Sequence, residues 1–238
     1  MRFKFLGLTL LAVQLVGTTA IALGAETAKP EDAKPSKATV LLFETAHLST
    51  FSKPVVLRYG FERQAKGEDG FTDQIDVKID SIRDDGRTDV SFAFFTGKRE
   101  RPYPAFSNFS GNPLVVVFMQ REVWALSRKI GGLARYFRYR IRLALRGDAP
   151  VEDHDIDTKR GVVRGHKITI KPYEKDRHRN RLGPYEFTTY EFVVSEDIPG
   201  GVYSITTTVP AQEKDAAPLV KETVVFQEQR DHSGGTDQ

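Results

Sequence analysis

Apolar and polar residues alternate with period two along most of the 238-residue chain. That pattern confines the fold to sheets with one buried face. Val55, Leu57, Tyr59 and Phe61 share one side of an extended segment, with Arg58 and Glu62 opposite. Ile75, Val77 and Ile79 alternate with Asp76, Lys78 and Asp80, and Val90, Phe92 and Phe94 with Asp89, Ser91 and Ala93. Asp84-Asp85-Gly86-Arg87 between these two runs predicts a hairpin turn. The alternation returns at Ile168 and Ile170, at Tyr190, Phe192 and Val194, at Tyr203, Ile205 and Val209, and at Val220, Val224 and Phe226. Pro199-Gly200-Gly201 marks a turn between two of these runs. About eight strands with turn signals predict a mainly β fold, an antiparallel sandwich or half-barrel.

The middle of the chain breaks the pattern. Residues 101–113 hold three prolines and three aromatics and read as a loop. Leu114 to Phe118 is an unbroken apolar run that suits either a buried strand or the start of a helix. Gln120–Ile130 reads as a helix, Gly131-Gly132 as a break, and Leu133–Arg146 as a second helix stopped by Gly147. The expected architecture is therefore α+β. A β-rich domain over 39–227 carries a helical insertion at 119–146, which covers the sheet through Val123, Leu126, Ile130, Phe137 and Ile141.

The N-terminus has the order of a secretory signal peptide. Arg2 and Lys4 precede an uncharged stretch from Phe5 to Ala25, and small residues place cleavage after Ala22 or Ala25. Removal of residues 1–25 leaves no stable membrane anchor and predicts a periplasmic or secreted protein. Residues 26–38 read as a disordered linker and residues 228–238 as a disordered tail. The chain has no cysteine, which excludes disulfides, thiol catalysis and attachment of lipid to an N-terminal cysteine. Without Arg2 and Lys4, 33 basic residues face 32 acidic ones. Near-neutral charge and export together argue against nucleic acid as a partner.

The second helix carries the most unusual surface. Arg135, Arg138, Arg142 and Arg146 fall in a narrow arc opposite Leu133, Phe137, Ile141, Ala144 and Leu145. Like charges one turn apart cost a few tenths of a kcal/mol per pair, so something offsets them. One answer is internal: an acidic loop at 151–157 folds back onto the stripe. The other is an external anion or an acidic partner, held by Arg135, Arg138 and Arg142 with stacking from Tyr136, Tyr139 and Trp124. Tyr103, Phe106 and Phe109 suit either a hydrophobic lid or plain core packing.

Local signatures of catalysis are missing: the chain has no HExxH, GxSxG, SxxK, GxGxxG or P-loop sequence. That weighs against an enzyme, although a hydrolase built from distant loops stays open. Asp153, Asp155 and Asp157 have the spacing that opens a calcium loop. Thr158 and Arg164, however, stand where the EF-hand loop needs Gly and Glu, so the metal reading is weak. No cofactor is implied.

Several segments resemble a block in uncharacterised secreted proteobacterial proteins. They are Gly111-Asn112-Pro113, the Phe118–Trp124 segment with Arg121-Glu122-Val123, Gly131-Gly132, and Tyr136 to Arg142. The strand-rich flanks are similar in general pattern to periplasmic lipid-carrier half-barrels of the lipoprotein-chaperone type. Neither resemblance assigns a catalytic residue. Neither transfers a function; export, the β-rich pattern and the missing catalytic signatures predict an exported, non-enzymatic binding or accessory protein. Its partner would be an amphipathic anionic ligand or, alternatively, a protein of an envelope complex.

Overall fold

The computed structural model describes residues 34–147, 149–213 and 216–232. The signal segment, most of the linker and residues 233–238 lie outside the described residues. Nine antiparallel strands form one open sheet. They are β1 (Val55–Ala65), β2 (Phe71–Ile82), β3 (Thr88–Phe94), β4 (Phe106–Phe109), β5 (Val151–Thr158), β6 (Gly161–Ile170), β7 (Thr189–Val194), β8 (Val202–Val209) and β9 (Val220–Asp231). Their order is β4-β3-β2-β1-β9-β8-β7-β6-β5, so every paired neighbour is consecutive in sequence except β1 with β9, and β4 and β5 form the two edges. A single sheet settles the choice between sandwich and half-barrel in favour of the half-barrel. Bulges at Arg58/Tyr59, Ile79/Ser81 and Val193/Val194 add twist to it.

Two strands escape the sequence pattern. β4 lies in the segment expected to be loop, where its prolines and aromatics mask a four-residue edge strand. β5 is the expected acidic loop. Alternating acids hide its periodicity, but pairing with β6 sets Glu152 opposite Lys167 and Asp155 opposite Arg164. β9 also continues to Asp231, beyond the expected tail boundary.

Helices α2 (Pro113–Ile130) and α3 (Ala134–Arg146) pack on the sheet's apolar face. Leu114 to Phe118 belongs to α2, so the insertion starts six residues before position 119. Leu114, Phe118, Val123 and Leu126 of α2 and Phe137, Ile141 and Leu145 of α3 join one buried cluster with Leu57, Tyr59, Phe61, Ile75, Val77, Phe192 and Ile205 of the strands. Gly131 and Gly132 have φ of 81° and 97°, the left-handed backbone that lets the chain reverse between the helices. Near the start of the described chain the short α1 (Lys37–Thr39), with Ala38 buried, crosses the end of the expected disordered linker. The Ser36 and Thr39 hydroxyls donate to the Leu145 carbonyl and satisfy part of the C-terminal end of α3. Among the described residues no helix is long and apolar enough to cross a membrane.

Asn112 ties the helical cover to the sheet. Its Oδ1 accepts from the Leu114 N–H at 3.0 Å and caps α2, and its Nδ2 donates to Tyr59 Oη at 3.0 Å and to the Gly200 carbonyl at 2.7 Å. Asn112→Ala removes the cap and orphans two buried acceptors. It will cost about 3 kcal/mol in urea unfolding. A loss below about 0.5 kcal/mol would show that the cap does not hold α2 in place.

Candidate ligand site beneath the helical cover

The strand register lays the inward side chains out in rows. One row crosses the sheet as Ile168, Phe192, Ile205, Val224 and Phe61, all apolar. The neighbouring inward row reads Ile170, Tyr190, Thr207, Glu222, Arg63 and Phe71. The concave face thus turns polar within one row. Above it, Glu122 occupies the buried side of α2, four residues from both Phe118 and Leu126.

These polar groups form an ion cluster. Arg121 reaches Glu122 Oε1 at 2.8 Å and Glu222 Oε1 at 3.0 Å, while Arg63 pairs with Glu222 and, at 3.0 Å, with Glu68. The Arg121 guanidinium also lies 5.2 Å from the Phe61 ring centroid and 5.8 Å from that of Phe95. Glu122 and Glu222 are 6% and 2% exposed, so their charges are barely screened by water. Burial and the neighbouring charge of Glu222 push the Glu122 carboxyl up to about 8. Burial would raise Glu222 too, but the hydrogen bonds and charges of Arg121 and Arg63 outweigh it and hold that carboxyl below its ordinary value. At neutral pH the cluster therefore holds an ionised Glu222 and a largely neutral Glu122.

Two hollows flank the cluster. A cavity of about 300 Å³ is lined by Glu122, Leu126, Tyr190, Thr207, Val209 and Glu222. Tyr190 Oη and Thr207 Oγ1 are buried without a hydrogen-bond partner. Tyr173 lies beside Tyr190, and Glu122 beside Thr207, close but outside hydrogen-bonding geometry. On the other side a groove of about 460 Å³ is lined by Phe71, Phe95, Tyr103, Arg121, Trp124 and further arginines. Arg63 and Arg128 border both hollows.

The expected site residues are dispersed. Arg135, Arg138, Arg142 and Arg146 are exposed on α3, as the helical spacing predicts. Because residues 151–157 form β5, they do not fold back onto the stripe. Glu152 and Asp153 instead face Lys167 and His166 of β6. Among the described residues none of the four arginines has a carboxylate partner within 4.0 Å. Arg138 Nη2 donates to Gln120 Oε1 of α2 at 3.0 Å. Tyr136 is not free to stack on a ligand: its hydroxyl donates to Asp176 at 2.8 Å, and burial with that carboxylate pushes its pKa up to about 12. Arg140 supplies the charge opposite Asp176 at 2.7 Å. Tyr139 and Trp124 are exposed, and Trp124 and Tyr103 both line the groove. Phe106 and Phe109 belong to β4, where their rings pack 5.3 Å apart and Phe106 lies 5.9 Å from Phe92; they are part of an edge strand, not of a loop lid. Asp153, Asp155 and Asp157 share one face of β5. Among the described residues no three carboxylate or imidazole groups are placed to hold a metal ion together.

The residues that gather at the hollows are visible in the sequence only as interruptions. Thr207 falls between Ile205 and Val209, and Glu222 between Val220 and Val224, where the alternation calls for apolar side chains. Glu122 likewise interrupts the apolar stripe of α2. A polar residue in a buried phase is the available signal.

No family model matches the chain, and no curated protein matches it. Among solved structures it is similar to a LolA superfamily protein from Nitrosomonas europaea. That alignment has 10% identity, a TM-score of 0.23, and covers 84% of this chain and 94% of that one. The class that the chain's own fold defines is an α+β half-barrel with a two-helix cover.

Proposed function

We propose that this chain is an exported, periplasmic, non-enzymatic binding protein that holds an amphipathic ligand between α2 and strands β7–β9. One observation carries the reading: the Tyr190 and Thr207 hydroxyls line the cavity beside Glu122 with no protein partner. A buried hydroxyl without a partner costs about 1–3 kcal/mol, and a bound polar group relieves that cost. The ligand's polar end meets these hydroxyls and the neutral Glu122, and its apolar part lies along Leu126, Val209 and Val220. The signal segment at 1–25 supports export, and the reading needs no cofactor.

The test is native mass spectrometry of protein recovered from the periplasm. The expected result is a chain cleaved after Ala22 or Ala25 that carries a co-purified small molecule, released on denaturation. Leu126→Trp fills the cavity and abolishes that co-purification while circular dichroism stays that of the parent. Parent protein that emerges without ligand and takes up no added amphiphile would sink the proposal.

The arginine stripe of α3 supports a second reading. Four exposed guanidiniums without carboxylate partners among the described residues suit an acidic surface on an envelope protein. Cross-linking at Arg138→Lys, followed by identification of the captured protein, separates this reading from the first. Both hold together if one face carries cargo and the other docks.

A further inference from the structure

The groove outside the ion cluster has a chemistry of its own. Arg99, Arg101 and Arg128 line it, and no carboxylate does. The Arg99 guanidinium sits 4.5 Å over the Phe71 ring, and Arg101 Nη1 donates to the Glu100 carbonyl at 2.8 Å. Among the described residues none of the three forms an ion pair within 4.0 Å. Three guanidiniums left together without anions repel one another unless a ligand supplies the charge. Burial raises the pKa of the Tyr103 hydroxyl in the groove wall, against the charges of Arg121, Arg128 and Arg101.

The floor of the groove is aromatic and strained. Phe95 has a φ of 68°, a left-handed backbone that strains a bulky residue. That conformation sets its ring 4.6 Å from Phe61 and 5.9 Å from Phe71. Trp124 and Tyr103 add aromatic walls. Strain that presents an aromatic surface beneath a ring of cations marks a binding surface.

We propose that this groove binds an amphiphile that ends in a phosphate monoester. A phosphate monoester carries about −1.5 to −2 charges and three terminal oxygens, which match three unpaired guanidinium forks better than a carboxylate does. The aromatic floor takes the apolar part of the molecule. The inference rests on the groove alone and does not require a ligand in the cavity.

Trp124 is the chain's one tryptophan and stands at the groove, so its fluorescence reports occupancy directly. Delipidated mature protein is titrated with lysophosphatidic acid below its micellar concentration. The expected result is a saturable change in Trp124 emission that weakens as salt rises. The Arg99→Gln, Arg101→Gln, Arg128→Gln triple variant binds roughly tenfold or more weakly, with an unchanged melting temperature. These three side chains are exposed, so the variant folds. Lysophosphatidylcholine of the same chain length binding equally well would show that the cations are not used. Inorganic phosphate saturating at the same concentration would show that the aromatic floor is not used. Either result overturns the proposal, as does a silent titration or a triple variant that binds like the parent. Leu126 lines the cavity and not the groove, so a ligand held in the groove survives Leu126→Trp and one held in the cavity does not, which keeps the two proposals separable.

Discussion

Glu222→Gln will lower stability by about 3 kcal/mol at pH 7 and the melting temperature by about 8 °C, although the substitution keeps the shape of the side chain. The cause is the charge it removes. Glu222 is 2% exposed and serves two guanidiniums, Arg63 and Arg121. Breaking a buried pair by deleting one partner costs about 3–5 kcal/mol, because the remaining charge is left without compensation. The cost falls at the low end of that range for a structural reason. Arg63 keeps Glu68 at 3.0 Å, and Arg121 keeps Glu122 at 2.8 Å. With the negative charge of Glu222 gone, Glu122 ionises and takes over part of its role. A comparison within the same protein sets the scale. Lys53 and Asp231 approach to 2.7 Å with side chains 65% and 79% exposed. Removing that pair will cost under about 0.5 kcal/mol, since water screens it. A Glu222→Gln cost no larger than the Lys53 cost, measured by urea unfolding, would mean that the cluster is wetter than its burial indicates.

The same cluster explains what is legible in the sequence and what is not. Strands β1, β2, β3, β6, β7, β8 and β9 announce themselves because their inward residues repeat at every second position. β5 does not, because residues 151–157 put acids on both sides of the strand around the single buried Ile156. Its structure comes from pairing with β6, a long-range fact that no local window holds. The arginine stripe of α3 is legible as a surface, but the acidic segment that follows it in sequence is not its counterpart. The site fails to stand out for a different reason. Thr207, Glu222, Glu122 and Arg63 come from β8, β9, α2 and β1. Each is a single break in an otherwise apolar pattern, and only the register Thr207↔Glu222↔Arg63 brings those breaks together. Sequence periodicity finds the face of a sheet but not which positions along neighbouring strands meet.

Glu122→Gln tests the protonation state on which the cavity's chemistry depends, and its effect will change with pH. In the folded chain burial and Glu222 push Glu122 up to about 8, against an ordinary value of 4.5. Below pH 4.5 both folded and unfolded chains hold this proton, and stability does not respond to it. As pH rises from 4.5 to 8 the unfolded chain releases the proton and the folded chain retains it. Unfolding then becomes steadily easier, and the parent loses stability on the order of 4 kcal/mol across that window. Glu222 acts in the opposite sense. Its lowered pKa supplies stability above its ordinary value of 4.5, which is lost as pH falls below that. The parent is thus most stable near the acid end of the window. The substituted side chain cannot ionise, but its amide oxygen still accepts from Arg121 and its NH2 group still donates in place of the acid proton. At pH 5 the variant therefore matches the parent to within about 1 kcal/mol, and at pH 9 it is the more stable by about 4 kcal/mol. Urea unfolding at the two pH values checks both halves. Were Arg121 instead to hold Glu122 ionised, the order would reverse: the variant would be the weaker protein at pH 7 and would recover near pH 4. Parallel curves for the two proteins would remove the neutral donor from the cavity, and with it the reason for a polar ligand end to bind there.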